Sequence, residues 1–221
     1  MNDESDLAPP PPPRHRPAPD RPPLPNPRRV GTFGMFLFLA ALGMLFAASI
    51  LGYILIRLRI ANPTLDPATG DPVRPAMELG AIDIPLILWL STALMVVSSI
   101  TLHWAGLSVV IERQRNFRRG MTLTFVLGLL FLIVQGPALA ELVQRQAVTD
   151  NVRLYYLALV LIVLHGLHVI GGLIPLGVLV RNAFLGKYDH EHSHPVTLFA
   201  MYWHFLLIVW IVMFMAMQWL G

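Results

Sequence analysis

Four histidines, His103, His165, His168 and His204, stand in apolar stretches that hold no acid, lysine or arginine. Imidazole ligates haem iron, copper and zinc, and it exchanges protons near neutrality. His165 and His168 are three residues apart, so on a helix they share a face. That spacing admits two readings: a ligand pair for a metal or haem, or two imidazoles hydrogen-bonded to neighbouring helices. No carboxylate or cysteine accompanies them, and Gly166 and Gly172 beside them point to close helix packing. His204 lies in Tyr202-Trp203-His204-Phe205, with Trp210 and Trp219 further along. Tryptophans near span ends ordinarily anchor a helix at the membrane interface, which is the role expected of them.

Two other groups carry polar chemistry. His190, His192 and His194 alternate with Glu191 and Ser193, which would put three imidazoles on one side of an extended segment able to take zinc or nickel. A hydrated loop without fixed geometry is the plainer expectation. Gln135 and Glu141 are candidates for contact with a neighbouring chain, Glu141 otherwise being a helix-end carboxylate. The chain has no cysteine, which excludes disulfides, thiolate metal sites and cysteine nucleophiles. It has no phosphate-cradling glycine loop, nucleophile elbow or zinc-protease helix either, so an active site on this chain alone is not expected.

The elements that position these residues follow from composition. Of 221 residues, 55% are apolar and only 13% charged, against about 25% charged in soluble domains. No acid, lysine or arginine falls in 30–56, 84–111, 120–140, 154–180 or 195–221. Each window reaches the roughly 20 residues that carry a helix across a ~30 Å hydrocarbon layer. The expected fold is an all-α membrane protein, a bundle of five transmembrane helices over residues 30–221. The net charge of +3 does not indicate nucleic acid, because the arginines cluster at the ends of apolar spans. With the N-terminus in the cytoplasm, eleven bases lie inside and five outside, as the positive-inside rule requires, and the C-terminus ends outside.

Residues 1–29 contain 11 of the 19 prolines, interleaved with Arg14, Arg16, Arg21, Arg28 and Arg29, and are expected to form a disordered cytoplasmic tail of polyproline type. They start acidic and lack an apolar core, so no secretory signal peptide is expected. Residues 57–83, rich in Pro, Asp and Gly, read as a turn-filled loop over the outer face. Gly43/Ala47 and Ala48/Gly52 pair small residues four apart on the first span, a pattern that admits a second helix closely. Pro85, Pro137 and Pro175 should kink or end their helices.

Taken together, His165-Gly166-Leu167-His168-Val169-Ile170 followed by glycine, then Tyr202-Trp203-His204-Phe205 with Val209-Trp210 and a terminal Trp219-Leu220-Gly221, resemble the last two helices of cytochrome c oxidase subunit III. Gly34-Met35-Phe36-Leu37-Phe38-Leu39 resembles the opening of the family's first shared helix. Leu90-Ser91-Thr92 through Ser98-Ser99 to His103-Trp104-Ala105 is similar to its second. Gly128-Leu129-Leu130-Phe131 to Gln135, with Glu141 beyond, is similar to its third. The resemblance covers residues 30–221, and five spans match the many bacterial members rather than the seven-span mitochondrial ones. It implies a non-catalytic subunit of a haem-copper terminal oxidase in a bacterial plasma membrane. Such a subunit carries no haem or copper itself, packs against subunit I (with subunit II in the complex), holds phospholipids between helices and helps sustain proton uptake.

Where the family carries carboxylates, this chain has Leu42, Ala138-Leu139, Thr197 and Leu207. The resemblance therefore implies scaffold and lipid-binding roles rather than a proton-collecting one. A close variant is the subunit III-like protein that accompanies nitric oxide reductases. From a different class, a membrane cytochrome b would use these histidines as axial haem ligands, and a small transporter would need a midplane site that is not seen here.

Overall fold

In the computed structural model, residues 27–61, 64–65, 72–73, 86–146, 152–186, 188 and 194–220 are described. Five long helices account for nearly all of them: α1 (Pro27–Ala61), α2 (Leu86–Val110), α3 (Gln114–Gln146), α4 (Val152–Phe184) and α5 (His194–Leu220). All five are long and apolar enough to cross a membrane. Helices dominate because in hydrocarbon every backbone N–H and C=O must be paired within its own segment. Three of the five, α1, α3 and α4, exceed the charge-free windows by a turn or more, carrying Arg28 and Arg29 at one end of α1 and Arg181 at the end of α4 into the helix itself. Long basic side chains on such overhanging turns reach the interface.

Helix ends follow the local sequence. Pro27 opens α1, where its missing N–H costs nothing. The α2–α3 turn is closed by Glu112 in the left-handed region (φ 56°), with Arg113 N–H on the Ser108 carbonyl at 2.9 Å and Glu112 N–H on the Val109 carbonyl at 3.2 Å. That pair of bonds is a Schellman cap, here made without glycine. Gly186 (φ 68°) takes the same left-handed conformation just past α4. Pro137 and Pro175 do not end their helices: α3 and α4 continue through both. Pro85 lies just outside the described residues, immediately before α2.

Within the loop expected over 57–83, two short strands, β1 (Thr64–Leu65) and β2 (Pro72–Val73), pair antiparallel with Thr64 opposite Val73 and Leu65 opposite Pro72. The tail up to residue 26 lies outside the described residues, as do His190 and His192.

Helix α2 packs along α3 and also touches α5; α4 packs on α3 and α5; α1 lies against α5 and α4. The last helix therefore packs along α1, α2 and α4, and its Trp203 and Trp210 rings also reach Gly128 and Phe131 of α3. Close approach occurs where glycines stand. A Cβ on Gly120 of α3 would lie 2.8 Å from the Ala105 Cβ and 3.2 Å from the Thr101 carbonyl oxygen of α2. On Gly172 of α4 it would lie 2.8 Å from the Tyr202 ring of α5. The small-residue pairs of α1 are used differently from expectation. Gly43 faces the Phe205 ring at 3.6 Å, but Ala47 and Ala48 are exposed and nothing lies within 4 Å of a Cβ on Gly52. Gly166 likewise has open space, so of the two glycines beside the histidine pair only Gly172 marks a close contact.

Candidate functional site

The interior of the bundle is a seam of hydroxyl, indole and amide groups running between α2, α3 and α5. Trp203 and Trp210, two helical turns apart on α5, are fully buried. Trp203 Nε1–H donates to Ser98 Oγ at 3.0 Å, and Trp210 Nε1–H donates to Thr92 Oγ1 at 3.0 Å. Because Thr92 donates its own hydroxyl to the Leu88 carbonyl at 2.8 Å, its lone pairs stay free for the indole. Ser98 bridges onward to the Thr124 carbonyl of α3 at 3.4 Å, and the Thr101 and Thr124 hydroxyls lie 2.9 Å apart. Gln135 Nε2–H donates to Ser91 Oγ at 3.2 Å. In a lipid environment such interhelical bonds are each worth roughly 0.6 kcal/mol on average and up to about 1.7.

Two expectations are corrected by this geometry. Trp203 and Trp210 are core residues and not interfacial anchors, because hydroxyls of α2 receive their N–H groups and allow the rings to be buried. Trp104, by contrast, is exposed on α2. Gln135 is buried and bonded to α2, so it is not available to a neighbouring chain. Glu141 is half-buried on α3 beyond the seam.

The histidines separate. His165 is fully buried among Trp210 (ring centroids 5.1 Å), Phe131 (6.0 Å) and Phe46 (6.1 Å), and neither ring nitrogen has a hydrogen-bond partner. His168, on the same face, pairs Nδ1 with the Leu164 carbonyl of its own helix at 2.7 Å, and its ring meets Phe46 edge-on at 5.2 Å. Its carbonyl accepts the Tyr202 hydroxyl at 2.7 Å, so the bond that ties α4 to α5 here is made by the backbone of His168. The expectation that both imidazoles bond neighbouring helices fails, since one is enclosed by hydrocarbon rings and the other turns back on its own turn.

His204 pairs Nδ1 with the Ser99 hydroxyl, and its ring lies 6.3 Å from that of His103, tilted by 58°. Beside the two rings is a cleft of about 170 Å³, lined also by Gly106, Thr197 and Ala200. Small-molecule pockets run to about 300–1,000 Å³, so a haem macrocycle does not fit between this pair. His165, walled by three aromatic rings, offers no slot either. Among the described residues no group of three or more His, Asp or Glu could hold a metal. His194 opens α5 and is not part of a loop: its Nε2 lies 3.1 Å from the Arg28 carbonyl and 3.3 Å from Thr32 Oγ1, joining the starts of α1 and α5.

The hydroxyl partners Ser91, Thr92, Ser98 and Thr124 were not singled out by their chemistry. A signal was present: Ser91 and Ser98 are seven apart, the same two-turn interval as Trp203 and Trp210 on the helix that meets them. The seam can fix the register and rotation of three helices, α2, α3 and α5.

Comparison with known proteins agrees with this picture. The family model described as Cytochrome c oxidase subunit III matches residues 28–221. Cytochrome c oxidase subunit 3 of Salmo salar is 27% identical over 191 residues, which is 86% of this chain and 69% of that protein. The proteins of that name from Oryctolagus cuniculus and Gallus gallus are also 27% identical, over 195 and 191 residues, with the same coverage.

Proposed function

The chain belongs to the cytochrome c oxidase subunit III family, and from that premise we propose that it serves a haem-copper terminal oxidase as a non-catalytic helical subunit, seated against subunit I, with subunit II in the same assembly and the haem and copper held on those partners. The observation that carries this reading is the extent of the match, residues 28–221, which takes in all five spanning helices. The chain is a multi-pass membrane protein, and five spans together with the charge bias support a bacterial plasma membrane as its location.

The interior seam supports a scaffold role, because polar groups that could have moved protons are instead spent on holding helices together. Leu42 and Ala138, where the family carries carboxylates, are buried in the apolar core. Among the described residues nothing opposes the α1 positions Ala47, Ala48 and Gly52, which suits a helix of the partner. Phospholipid is the second class of partner. A groove of about 730 Å³ between α1, α4 and α5, lined by Met35, Phe38, Leu167, Pro175, Leu198 and Tyr202 among others, is apolar and wide enough for acyl chains.

Purification in mild detergent at native expression is expected to bring the haem-copper subunit I down with this chain. Recovery of an isolated monomer with no oxidase polypeptide attached would reject the subunit assignment. The orientation has its own test, made simple by the absence of cysteine. Ser193→Cys is expected to be protected from an impermeant thiol reagent in intact cells, and Thr69→Cys to be labelled. The opposite pattern would invert the topology.

A further inference from the structure

Away from the seam, a second groove of about 580 Å³ opens between the start of α3 and the end of α4, with Arg115, Arg118, Arg119 and Phe184 in its lining. Three guanidinium groups thus stand within five residues at the start of one helix, and no carboxylate lines the groove. None of the three arginines forms an ion pair among the described residues. Arg118 is half-buried, with its guanidinium carbon 5.9 Å from the centre of the Phe184 ring, and its Nε is enclosed without a hydrogen-bond partner. A guanidinium N–H left unpaired away from water is costly, and the guanidinium fork matches a carboxylate through two parallel bonds.

The complementary charge is carried by the same chain. Asp3, Glu4 and Asp6 fall within four residues, and no lysine or arginine precedes Arg14. Contacts at this end of the bundle show that the segment is rooted near the groove. His194 Nε2 lies 3.1 Å from the Arg28 carbonyl, so α1 and α5 begin side by side. At the start of α3, Gln114 Nε2–H donates to the Tyr188 carbonyl at 2.9 Å. Only six residue steps join Tyr188 to His194, which holds the starts of α1 and α3 within about 35 Å of one another at up to about 3.6 Å per step. The 21 steps from Asp6 to Pro27 reach about 65 Å at the ~3.1 Å per residue of a proline-rich spacer. Reach is therefore not limiting.

We infer that the acidic segment Asp3–Asp6 of this chain docks in the groove between α3 and α4, its carboxylates paired with Arg115, Arg118 and Arg119. Tethering favours this occupant over an acidic segment of another protein, because a tethered segment competes at an effective concentration on the order of millimolar without a second molecule having to arrive. Pairs at the exposed Arg115 and Arg119 are screened by salt, whereas the half-buried Arg118 gains most from a carboxylate. The inference rests on the charge and length of this chain and not on which complex it joins.

The test is disulfide trapping in the full chain, which has no cysteine of its own. Ser5→Cys stands among the three acids, and Thr122→Cys lines the groove. In native membranes oxidised with copper phenanthroline, this pair is expected to form a bond within one chain, read as the linked peptide by mass spectrometry. Its yield should be about tenfold that of Ser5→Cys paired with Glu112→Cys, an exposed position outside the groove. Arg115→Glu with Arg119→Glu, both at exposed positions, should cut the yield about tenfold, and adding Asp3→Lys with Glu4→Lys should recover most of it. Recovery by the swapped charges excludes misfolding as the cause of the loss. A yield at Thr122→Cys no higher than at Glu112→Cys, a yield unmoved by the charge reversal, absence of recovery, or a bond formed between two chains would each overturn the assignment, the last by giving the groove to a second copy.

Discussion

Adding a single methyl group at Gly120 is expected to disrupt the bundle more than any comparable change elsewhere on α2 or α3. The new Cβ of Gly120→Ala would sit 2.8 Å from the Ala105 Cβ, 3.2 Å from the Ala105 Cα and 3.2 Å from the Thr101 carbonyl oxygen. These are rigid atoms of a facing helix, so the strain cannot be relieved by turning a side chain. The two helices must separate, and separation lengthens the Ser98–Thr124 and Thr101–Thr124 bonds one turn further along. Overpacking costs about 1–3 kcal/mol where neighbours can shift, and Gly120→Val is expected to exceed that range. The matched control is Gly106→Ala on α2, where nothing lies within 4 Å of the added Cβ. In detergent, the thermal midpoint followed by size-exclusion chromatography should fall by several degrees for Gly120→Ala and stay within about a degree for Gly106→Ala. Equal midpoints would show that α2 and α3 do not approach as closely as described.

Truncating Trp203 is the second change expected to have a large effect. Its ring is fully buried and lies against Gly128 and Gly172, so it fills the space where α3, α4 and α5 meet. Trp203→Ala removes that filling and leaves a cavity, at a cost of about 3–5 kcal/mol if the helices do not collapse into it. Total stability is only about 5–15 kcal/mol, so loss of most folded subunit and of its association with the complex is expected. Trp203→Phe separates packing from hydrogen bonding. It keeps a ring but removes the N–H that reaches Ser98 Oγ, and should cost about 1 kcal/mol beyond the volume change. In combination with Ser98→Ala the two losses should be less than additive, because both delete the same bond. Strict additivity would show that the indole and the hydroxyl do not interact. Neither variant is expected to change the haem content of oxidase that still assembles, whereas loss of haem in step with Trp203→Phe would speak for a cofactor on this chain.

Much of the site was legible as composition but not as contact. The seven-residue interval of Trp203 and Trp210, and the seam's hydroxyls at Ser91, Thr92 and Ser98, can be read in the sequence, yet nothing local says that one set faces the other. Trp203 and Ser98 are 105 residues apart, as are His204 and Ser99. Tryptophans near span ends ordinarily anchor at the interface, and nothing local reveals that hydroxyls of another helix receive the Trp203 and Trp210 N–H groups. Gln135 is a candidate for contact with a neighbouring chain until Ser91, 44 residues away, is seen to accept its amide. His168 and His165 share a helix face as their spacing required, but spacing does not reveal that one would be ringed by Phe46, Phe131 and Trp210.

What the sequence by itself determined was the number, length and helical state of the spans, along with the family. Stretches of more than 20 apolar residues without charge have one cheap conformation in lipid, since only a helix pairs all its own backbone groups. That outcome depends on local composition alone, so it survives without knowledge of any neighbour. The tertiary structure decided which face of each helix turns inward. In water an apolar stripe would mark that face, but here both the lipid side and the core side are apolar: Leu37, Leu51 and Ile174 are exposed while Leu42, Ile50 and Leu173 are buried. With hydrophobicity the same all round, rotation and pairing are set by close fit at Gly120, Gly128 and Gly172 and by the few bonds between hydroxyls and indoles, interactions that exist only once distant segments have met.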